Sequence, residues 1–264
     1  MNAASPDRPL ALVTGASSGI GAAFARRLAR DGYDLIVVAR RVERLQDLAE
    51  ELAPARVEVL AADLGTDEGI ASVCSRAASA PLALVVNNAG LAHYMPFVAL
   101  PPERAAELMR VNAMAPVMVA RAALPGMVER GSGTVINLAS LLAFSGAAGN
   151  PRLPRRAVYA ATRAFIVTFT QLLAEELDGT GVRVQALCPG VVETEFHSRQ
   201  GMDLSHLVAM VPDDVVTASL AGLELGELVC APTLEDAGAI QEANRASAAL
   251  LAGTQEFKLA DRYR

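Results

Sequence analysis

The sequence lacks the positive charge that binding to nucleic acid requires. Its 264 residues carry a formal net charge of -6. A protein that binds DNA or RNA through the phosphate backbone needs clustered lysine and arginine to neutralise the phosphates. We therefore expect no nucleic acid among its partners.

Cysteine and histidine are scarce. The three cysteines, Cys74, Cys188 and Cys230, are far apart, with no Cys-x-x-Cys pair and no mixed Cys/His ligand spacing. His197 and His206 are nine residues apart and have no third ligand near them. These patterns predict neither a disulfide framework nor a metal site, and they favour a reducing compartment.

Long hydrophobic runs are also missing. No stretch has about 18 uninterrupted apolar residues, the length that a membrane-spanning helix needs. The amino-terminal segment has only a short apolar run before a glycine turn, which is unlike a signal peptide. We expect a cytoplasmic protein with no membrane partner.

Apolar residues make up 52% of the chain, and they follow two alternating patterns. Short Val/Ile/Leu-rich runs alternate with longer segments whose apolar residues recur every three or four positions, which is typical of βα units around a parallel sheet. We predict an α/β fold of the doubly wound, Rossmann-like type, with about seven parallel strands in a three-layer αβα arrangement. The predicted strands are residues 10–14, 35–39, 57–61, 82–86, 134–138, 183–187 and 227–231. The predicted helices are residues 21–30, 42–52, 67–77, 102–130 and 157–177.

No linker-like tract or repeat divides the sequence, so we predict a single domain over residues 1–264. Residues 191–264 are its carboxyl-terminal extension, in which the alanine-rich segment 234–251 is interpreted as a packing helix. The helices at 102–130 and 157–177 are apolar on more than one side, so each needs a second neighbour besides the sheet. That neighbour is either another subunit of a homodimer or homotetramer or the carboxyl-terminal helices.

A glycine-rich turn, Thr14-Gly-Ala-Ser-Ser-Gly-Ile-Gly21, follows the first predicted strand and opens the first helix. A turn in this place brings backbone N–H groups and a helix amino terminus to a dinucleotide pyrophosphate. The alternative is a tight turn without a ligand, and the strand-turn-helix context favours the cofactor. The candidate cofactor-binding residues in the turn are Gly15, Ser17, Ser18, Gly19, Ile20 and Gly21.

The second predicted strand leads into Arg40 and Arg41, where an NAD site would have a carboxylate for the adenosine ribose. Two guanidinium groups can instead form forked, charge-assisted hydrogen bonds with a 2'-phosphate. This favours NADP(H) over NAD as the cofactor. The alternative is that both arginines only begin the solvated face of the next helix.

Further motifs follow in order along the chain. They are Asp63-Leu64, Asn87-Asn88-Ala89-Gly90, Asn112, Ser140, Tyr159 and Pro189-Gly190 with Val192 and Thr194. In this order and spacing, together with the glycine turn, they resemble the short-chain dehydrogenase/reductase family over almost the full length of the sequence. The resemblance implies an NADP(H)-dependent oxidoreductase that interconverts a small carbonyl compound and a secondary alcohol. The implied cofactor contacts beyond the glycine turn and the two arginines are Asp63, Leu64, Asn88, Ala89, Gly90, Tyr159, Arg163, Pro189, Gly190, Val192 and Thr194.

The implied catalytic residues are Ser140, Tyr159, Arg163 and Asn112. Reduction of a carbonyl takes a hydride from the nicotinamide and a proton for the oxygen, so the site needs an oxyanion partner and an acid. Ser140 can hydrogen-bond the oxygen, Tyr159 can supply the proton, and Asn112 can hold a water or a backbone group. A phenol with an ordinary pKa of about 10 gives up its proton poorly near neutrality unless a cation stabilises the phenolate.

That cation is Arg163, four residues after Tyr159 and one helical turn away, whereas the family has lysine at this position. The chain has one lysine, Lys258, among 23 basic residues. A guanidinium keeps the charge but cannot be deprotonated, so it cannot pass on a proton. Three interpretations follow: a working enzyme whose relay uses water or ribose hydroxyls, a weakened or altered enzyme, or a dinucleotide-binding regulator or assembly subunit without turnover.

A second departure is the long segment 141–156 between Ser140 and Tyr159, whose glycines and prolines predict a loop. It is either a pocket wall, with Arg152, Arg155 or Arg156 attracting an acidic substrate, or a solvated surface excursion.

By the same resemblance, residues 191–211, including Phe196 and Met202, form a substrate lid. His93 and His197 are interpreted as polar residues at the rim of the pocket, without a role as acid or base.

Overall fold

Seven parallel strands form one sheet in the order β3-β2-β1-β4-β5-β6-β7. The computed structural model describes residues 8–146, 153–199, 207–236, 238–253, 259 and 261–264. The strands are β1 Leu10–Thr14, β2 Asp34–Ala39, β3 Val57–Ala61, β4 Leu82–Asn87, β5 Gly133–Leu138, β6 Val182–Leu187 and β7 Val229–Cys230. The predicted doubly wound α/β fold is confirmed, and each strand lies within two residues of its predicted bounds.

Helices cover both faces of this sheet. The helices that pack on it are α1 Gly19–Arg30, α2 Val42–Glu51, α3 Asp67–Ser79, α4 Pro102–Met109, α5 Ala115–Glu129, α6 Ala157–Glu176 and α8 Pro212–Glu224. Two further helices are the short α7 Glu195–Ser198 and, near the carboxyl end of the sequence, α9 Gly238–Ala252. Short 3-10 turns lie at Phe97–Ala99, Leu141–Phe144 and Asp261–Tyr263.

Two apolar cores, one on each face, produce the three layers. Alternate residues of a strand point to opposite faces, and in β1 Val13 packs into the core with α1 and α8, whereas Leu12 packs into the core with α3 and α5. Phe24 and Met127, both fully buried, lie at the centres of the two cores. The sheet is therefore buried on both sides, which accounts for its nearly continuous apolar strands.

The prediction for β7 was too long. Ladder pairing with β6 is limited to Val229 and Cys230, because the backbone N–H of Glu227 is still bonded to the carbonyl of Gly222 in the turn that ends α8, at 2.8 Å.

The single helix predicted at 102–130 is interrupted. A π-helical turn, Arg110–Met114, separates α4 from α5. Such a turn inserts one residue into the helix and is frequent at functional sites, but apolar periodicity does not reveal it. Asn112 lies in this turn and is fully buried.

The chain divides into two compact units, Met1–Pro232 and Thr233–Arg264. The second contains α9, and the packing role predicted for this helix is not seen because none of its residues is buried. The single domain with a carboxyl-terminal extension stays a prediction.

The stretches Pro102–Glu129 and Ala157–Glu176 are long and apolar enough to cross a membrane by length and composition alone. Core helices of soluble proteins meet the same criteria, and here α5 packs on β4 and α6 on β6. The two helices are therefore weak support for a membrane segment.

The sides of α5 and α6 away from the sheet leave large apolar side chains exposed, among them Met118, Phe165 and Leu172. These are the helices that were expected to have a second neighbour. The homodimer or homotetramer and the cytoplasmic location stay predictions.

A chain of buried polar side chains crosses from the sheet to the helix layer. The amide nitrogen of Asn87 donates to Asn137 Oδ1 at 2.9 Å, and Asn137 Nδ2 donates to Thr170 Oγ1 at 3.0 Å. Asn137 and Thr170 are fully buried. Since a buried polar group without a partner is costly, this chain fixes α6 against β4 and β5.

Replacing Asn137 with alanine should lower the free energy of unfolding by about 2 kcal/mol, because it leaves a small cavity and removes one partner each from Asn87 and Thr170. Urea unfolding measures this. Thr168→Ala is the control, since Thr168 is exposed on the same helix and should change stability by less than about 0.5 kcal/mol. Equal losses of unfolding free energy in both variants would refute a structural role for the hydrogen bonds between Asn87, Asn137 and Thr170.

Candidate active site

A cleft of about 1160 Å³ opens at the carboxyl ends of the strands and brings most of the predicted site residues together. The predicted residues that line it are Gly15, Ser17, Ser18, Gly19, Ile20, Arg40, Arg41, Asp63, Leu64, Asn88, Ala89, Gly90, Ser140, Tyr159, Arg163, Pro189, Gly190, Val192 and Thr194. Gly21 and Asn112 lie behind this lining. The strand order reverses at β1 and β4, and ligands of open α/β sheets bind at such a switch point.

The glycine turn has the backbone that a phosphate cradle needs. Gly15 and Gly19 have positive φ angles of 68° and 56°, a backbone conformation that residues with a Cβ adopt rarely. A Cβ at Gly21 would collide with the Gly15 carbonyl and the Asn88 amide. Ser18 precedes α1 without capping it through its side chain, so the first N–H groups of the helix stay available to an anion.

Asn88 fastens this turn to the loop after β4. Its Nδ2 donates to the carbonyl of Thr14 at 2.9 Å, and its backbone N–H donates to Thr14 Oγ1 at 3.0 Å. Its amide nitrogen is thus already used in holding two loops at the floor of the cleft.

The two arginines after β2 have different partners. Arg41 donates through Nη2 to the hydroxyls of Ser17 and Ser18, at 2.8 and 2.9 Å. Arg40 is more exposed and lies 3.7 Å from the carboxylate of Asp63. One guanidinium therefore belongs to the glycine turn, and the other borders the predicted adenine side.

Sequence reasoning missed a third charged group at this end of the cleft. Glu195, at the start of α7, forms ion pairs with Arg41, Arg44 and Arg199. Arg44 is 151 residues from Glu195, so no local pattern joins them.

Tyr159 is almost fully buried in the cleft wall at 5% exposure. Its ring meets Tyr94 edge-on, with 5.3 Å between centroids, and lies 6.1 Å from the ring of Phe196. Ser140 follows β5, and its Oγ accepts the backbone N–H of Leu142 at 3.2 Å. The Ser140 hydroxyl proton remains able to donate to another oxygen.

Arg163 lies beside Tyr159 and is buried. Its side chain is on α6 with 3% exposure, and its guanidinium carbon is 5.1 Å from the Tyr159 ring centroid. Nη1 donates to the carbonyl of Leu138 at 2.9 Å, while Nε has no hydrogen-bond partner. A side chain on Gly90 would occupy the position of Nη2, so the glycine makes room for the cation.

No carboxylate within the described ranges forms an ion pair with Arg163, although eleven other arginines form such pairs there. A buried charge without a counter-ion is unfavourable for folding. Such a group is expected where the charge has a function.

Asn112 holds backbone, one of the two roles predicted for it. Its Nδ2 donates to the Leu91 carbonyl at 2.8 Å, and its Oδ1 accepts the Leu91 N–H at 3.0 Å. Nδ2 also lies 3.3 Å from Thr162 Oγ1. The π-helical turn thereby connects the loop after β4 to α6, the helix that carries Tyr159.

Tyr94 is an aromatic residue of the site that sequence reasoning did not single out. Burial raises the pKa of Tyr94, and the adjacent Tyr159 raises it further, so its hydroxyl stays protonated. Its place four residues after Gly90 was the available signal, but only the packed structure brings it against Tyr159.

The two histidines line the cleft. His93 Nε2 lies 3.1 Å from Glu107 Oε2. The ring of His197 stacks on Tyr94 with 6.3 Å between centroids, and burial lowers the pKa of His197, which favours its neutral form. Neither ring contacts Ser140 or Tyr159 directly in the hydrogen bonds and ring pairs of the described residues.

Residues 147–152 of the predicted pocket wall, including Arg152, lie outside the described residues, as do Met202 of the predicted lid and His206. Of the remainder, Leu153 and Pro154 line the cleft. Arg156 donates to Ser145 Oγ at 2.9 Å and to the Pro154 carbonyl at 3.0 Å. Arg155 is exposed. Arg156 therefore anchors the loop, and neither arginine lines the cleft.

The cysteines are free thiols, and burial raises the pKa of Cys188 to about 12. Among the residues that the structure describes, no group of three His, Cys, Asp or Glu side chains could hold a metal ion.

Comparison with known proteins identifies the family. The family model described as short chain dehydrogenase matches residues 9–204. Sulfoacetaldehyde reductase 2 of Chromohalobacter salexigens is 37% identical over 233 residues, which cover 83% of this chain and 86% of that protein. The sequence-based recognition of the family is confirmed.

Solved structures agree over nearly the whole chain. A short-chain dehydrogenase from Sphingobium yanoikuyae in complex with NADPH has a TM-score of 0.91 and 36% identity, covering 97% of this chain and 100% of that one. The bulky-bulky ketone specific alcohol dehydrogenase of Comamonas testosteroni has a TM-score of 0.87 and 32% identity, covering 98% and 99%.

Replacing Arg163 with methionine should lower the free energy of unfolding by less than about 1 kcal/mol, and it could even raise that free energy. The substitution removes a buried charge that has no counter-ion among the described residues, and the methionine side chain fills much of the same volume. The matched control is Arg8→Met. Arg8 donates to three backbone carbonyls and lies 3.4 Å from Asp34, so its loss should cost roughly 1–3 kcal/mol. Urea unfolding of both variants measures the difference, and equal destabilisation would show that Arg163 is structural.

Proposed function

This chain belongs to the short-chain dehydrogenase family, and we propose that it is an NADP(H)-dependent oxidoreductase that interconverts a carbonyl compound and a secondary alcohol. The observation that carries the proposal is the unpaired, buried guanidinium of Arg163 against the Tyr159 ring. Both side chains line the same cleft as the glycine turn. A phenol, a cation and a phosphate cradle in one cleft are what hydride transfer with proton transfer to oxygen requires.

The turn at Gly15–Gly21 fits a dinucleotide, since its open helix terminus suits a pyrophosphate and its glycines leave no room for side chains. When bound, the nicotinamide supplies or accepts the hydride. Pro189, Gly190, Val192 and Thr194 line the cleft and would hold that ring.

In the reductive direction, Ser140 donates a hydrogen bond to the carbonyl oxygen and Tyr159 gives it the proton. The charge that develops on the Tyr159 oxygen is stabilised by Arg163, because a nearby cation favours the phenolate. Arg163 contributes charge to this step and no proton. Tyr159 would therefore recover its proton from water or, with the dinucleotide bound, from a ribose hydroxyl, and in the oxidative direction Tyr159 would accept the proton and Ser140 would hold the alcohol oxygen.

Two features support NADP(H) over NAD. Arg40 and Arg41 lie at the cleft edge, where a guanidinium can bind a 2'-phosphate through charge-assisted hydrogen bonds. The related Sphingobium yanoikuyae dehydrogenase was solved with NADPH.

The walls beyond Tyr159 favour an apolar substrate. Tyr94, Leu142, Leu153, Phe196 and Leu207 line this part of the cleft. Contact with such side chains stabilises a ligand mainly by burying its apolar surface. We propose a ketone or aldehyde with apolar substituents.

The second candidate function is dinucleotide binding without turnover, in a regulator or assembly subunit. The observation that favours it is the hydrogen bond from Arg163 Nη1 to the Leu138 carbonyl, which commits part of the guanidinium to backbone. Nucleotide binding is common to both candidates, so only turnover separates them.

Tyr159→Phe should lower the rate of NADPH oxidation by roughly 10²- to 10⁴-fold, because the proton donor is lost, and should weaken NADPH binding by no more than about tenfold, the loss expected for one hydrogen bond. Absorbance of NADPH with a panel of ketones and aldehydes measures the rate. Tyr33→Phe, remote from the cleft, is the control. A wild type that is silent on the panel and gains activity as Arg163→Lys would favour the second candidate.

Arg41→Ala should weaken NADPH binding by roughly 10- to 100-fold and leave NADH binding within about twofold, because only NADPH offers the phosphate that the guanidinium binds. Fluorescence titration with each cofactor measures both constants. Arg30→Ala removes one exposed positive charge from the end of α1 and should change neither. If Arg41→Ala weakened NADH binding as much as NADPH binding, Arg41 would only support the glycine turn and would not bind the 2'-phosphate.

A further inference from the structure

Glu195 places one carboxylate among three guanidinium groups at the edge of the cleft. Its Oε2 lies 3.1 Å from Arg41 Nη1, and its Oε1 lies 2.6 Å from Arg44 Nη1. Oε2 also accepts a hydrogen bond from Arg199. All three arginines donate to this one carboxylate. Glu195, Arg41, Arg44 and Arg199 thus form a charge cluster in which Glu195 is the acidic member.

The cluster is continuous with the glycine turn. Arg41 contacts Glu195 through Nη1 and the hydroxyls of Ser17 and Ser18 through Nη2. Glu195, Arg41 and Arg199 all line the cleft. The carboxylate therefore takes up a donor of the guanidinium that the proposed function assigns to the 2'-phosphate.

The charges explain why an anion is needed there. Burial lowers the pKa of Arg41, and the nearby cations Arg199 and Arg44 lower it further, whereas Glu195 raises it. The hydrogen bond from Arg44 is the main cause that lowers the pKa of Glu195 to about 2. Since the pKa is depressed, the ion pairs are complete above the ordinary carboxylate range and are lost only as the pH falls towards 2.

We infer that Glu195 sets cofactor discrimination: its carboxylate holds Arg41, one of the two arginines of the proposed 2'-phosphate site, and thereby limits the preference for a 2'-phosphorylated nucleotide. The inference rests on the proposed NADP(H) function. Carboxylate and phosphate are bound by the same guanidinium donors. A 2'-phosphate that binds Arg41 through Nη1 replaces Glu195 there and is repelled by the carboxylate that remains close by. A nucleotide without that phosphate meets neither obstacle.

The test uses the full-length chain and two nucleotides that lack nicotinamide, 2',5'-ADP and 5'-AMP, so that the readout is binding and not turnover. Isothermal titration calorimetry gives both dissociation constants. Glu195→Gln keeps the shape of the side chain and removes its charge, and it should tighten 2',5'-ADP binding by on the order of tenfold in dilute salt. Binding of 5'-AMP should stay within about twofold, and the gain should shrink in high salt because mobile ions screen the repulsion.

Glu193→Gln is the matched control. Glu193 is exposed, stands two residues away and forms no ion pair within the described ranges, so the variant removes an equal charge without freeing an arginine. Its nucleotide preference should equal that of the wild type. If both variants tighten 2',5'-ADP binding equally, the cause is the loss of one negative charge anywhere near the cleft, and the inference is wrong.

Two further outcomes separate the inference from the proposed function. If the wild type prefers 2',5'-ADP but Glu195→Gln leaves that preference unchanged or weakens it, Glu195 positions the arginines and the inference fails alone. If the wild type and Glu195→Gln both bind 5'-AMP as tightly as 2',5'-ADP, the NADP(H) proposal fails and the inference fails with it. Thermal unfolding of Glu195→Gln verifies that the variant is folded, as its 41% side-chain exposure predicts.

Discussion

The buried charge of Arg163 against the ring of Tyr159 is the interaction on which the rest of the site depends. Desolvating a guanidinium without a carboxylate opposes folding. The structure offsets that cost with the Leu138 carbonyl and the aromatic ring, and it makes space by having no side chain at Gly90. These partners belong to three separate segments, the end of β5, the loop after β4 and α6. The charge is thereby held in place but left able to stabilise a negative oxygen beside it.

A parallel sheet provides the framework for this arrangement. All strands end at the same edge, so the loops that follow β1, β4 and β5 converge there although they are far apart in the chain. Polar contacts then fix the loops relative to one another: Asn88 ties the glycine turn to the loop after β4, and Asn112 ties that loop to α6. The reacting groups can be held rigidly because the loops that carry them share buried hydrogen bonds.

The two ends of the cleft treat positive charge in opposite ways. Arg163 has no acidic partner within the described ranges, so its charge is available to the proton transfer that we propose at Tyr159. Arg41 is paired with Glu195, so its charge is already partly neutralised before any nucleotide arrives. On the proposed function, binding of a 2'-phosphate at one end is an exchange of anions, whereas at the other end the protein supplies a cation that no described carboxylate neutralises.

Local sequence was sufficient for the fold and, together with the family resemblance, for naming most of the residues that the cleft brings together. Alternating apolar patterns predict strands and helices, because each period reflects which face is buried, and the glycine turn is recognisable from its place between β1 and α1. Tyr159 and Arg163 are one turn apart on a helix, so their proximity was also predictable.

Contacts between distant segments were decided only by the tertiary structure. The pairing of Glu195 with Arg41 and Arg44, the approach of Tyr94 to Tyr159, and the π-helical turn around Asn112 leave no local signature. Each depends on how loops and helices pack over the edge of the sheet. The periodicity of apolar residues shows which face of a single helix or strand is buried. A charge pair or a ring contact depends instead on the relative positions of two segments, which the periodicity of neither one contains.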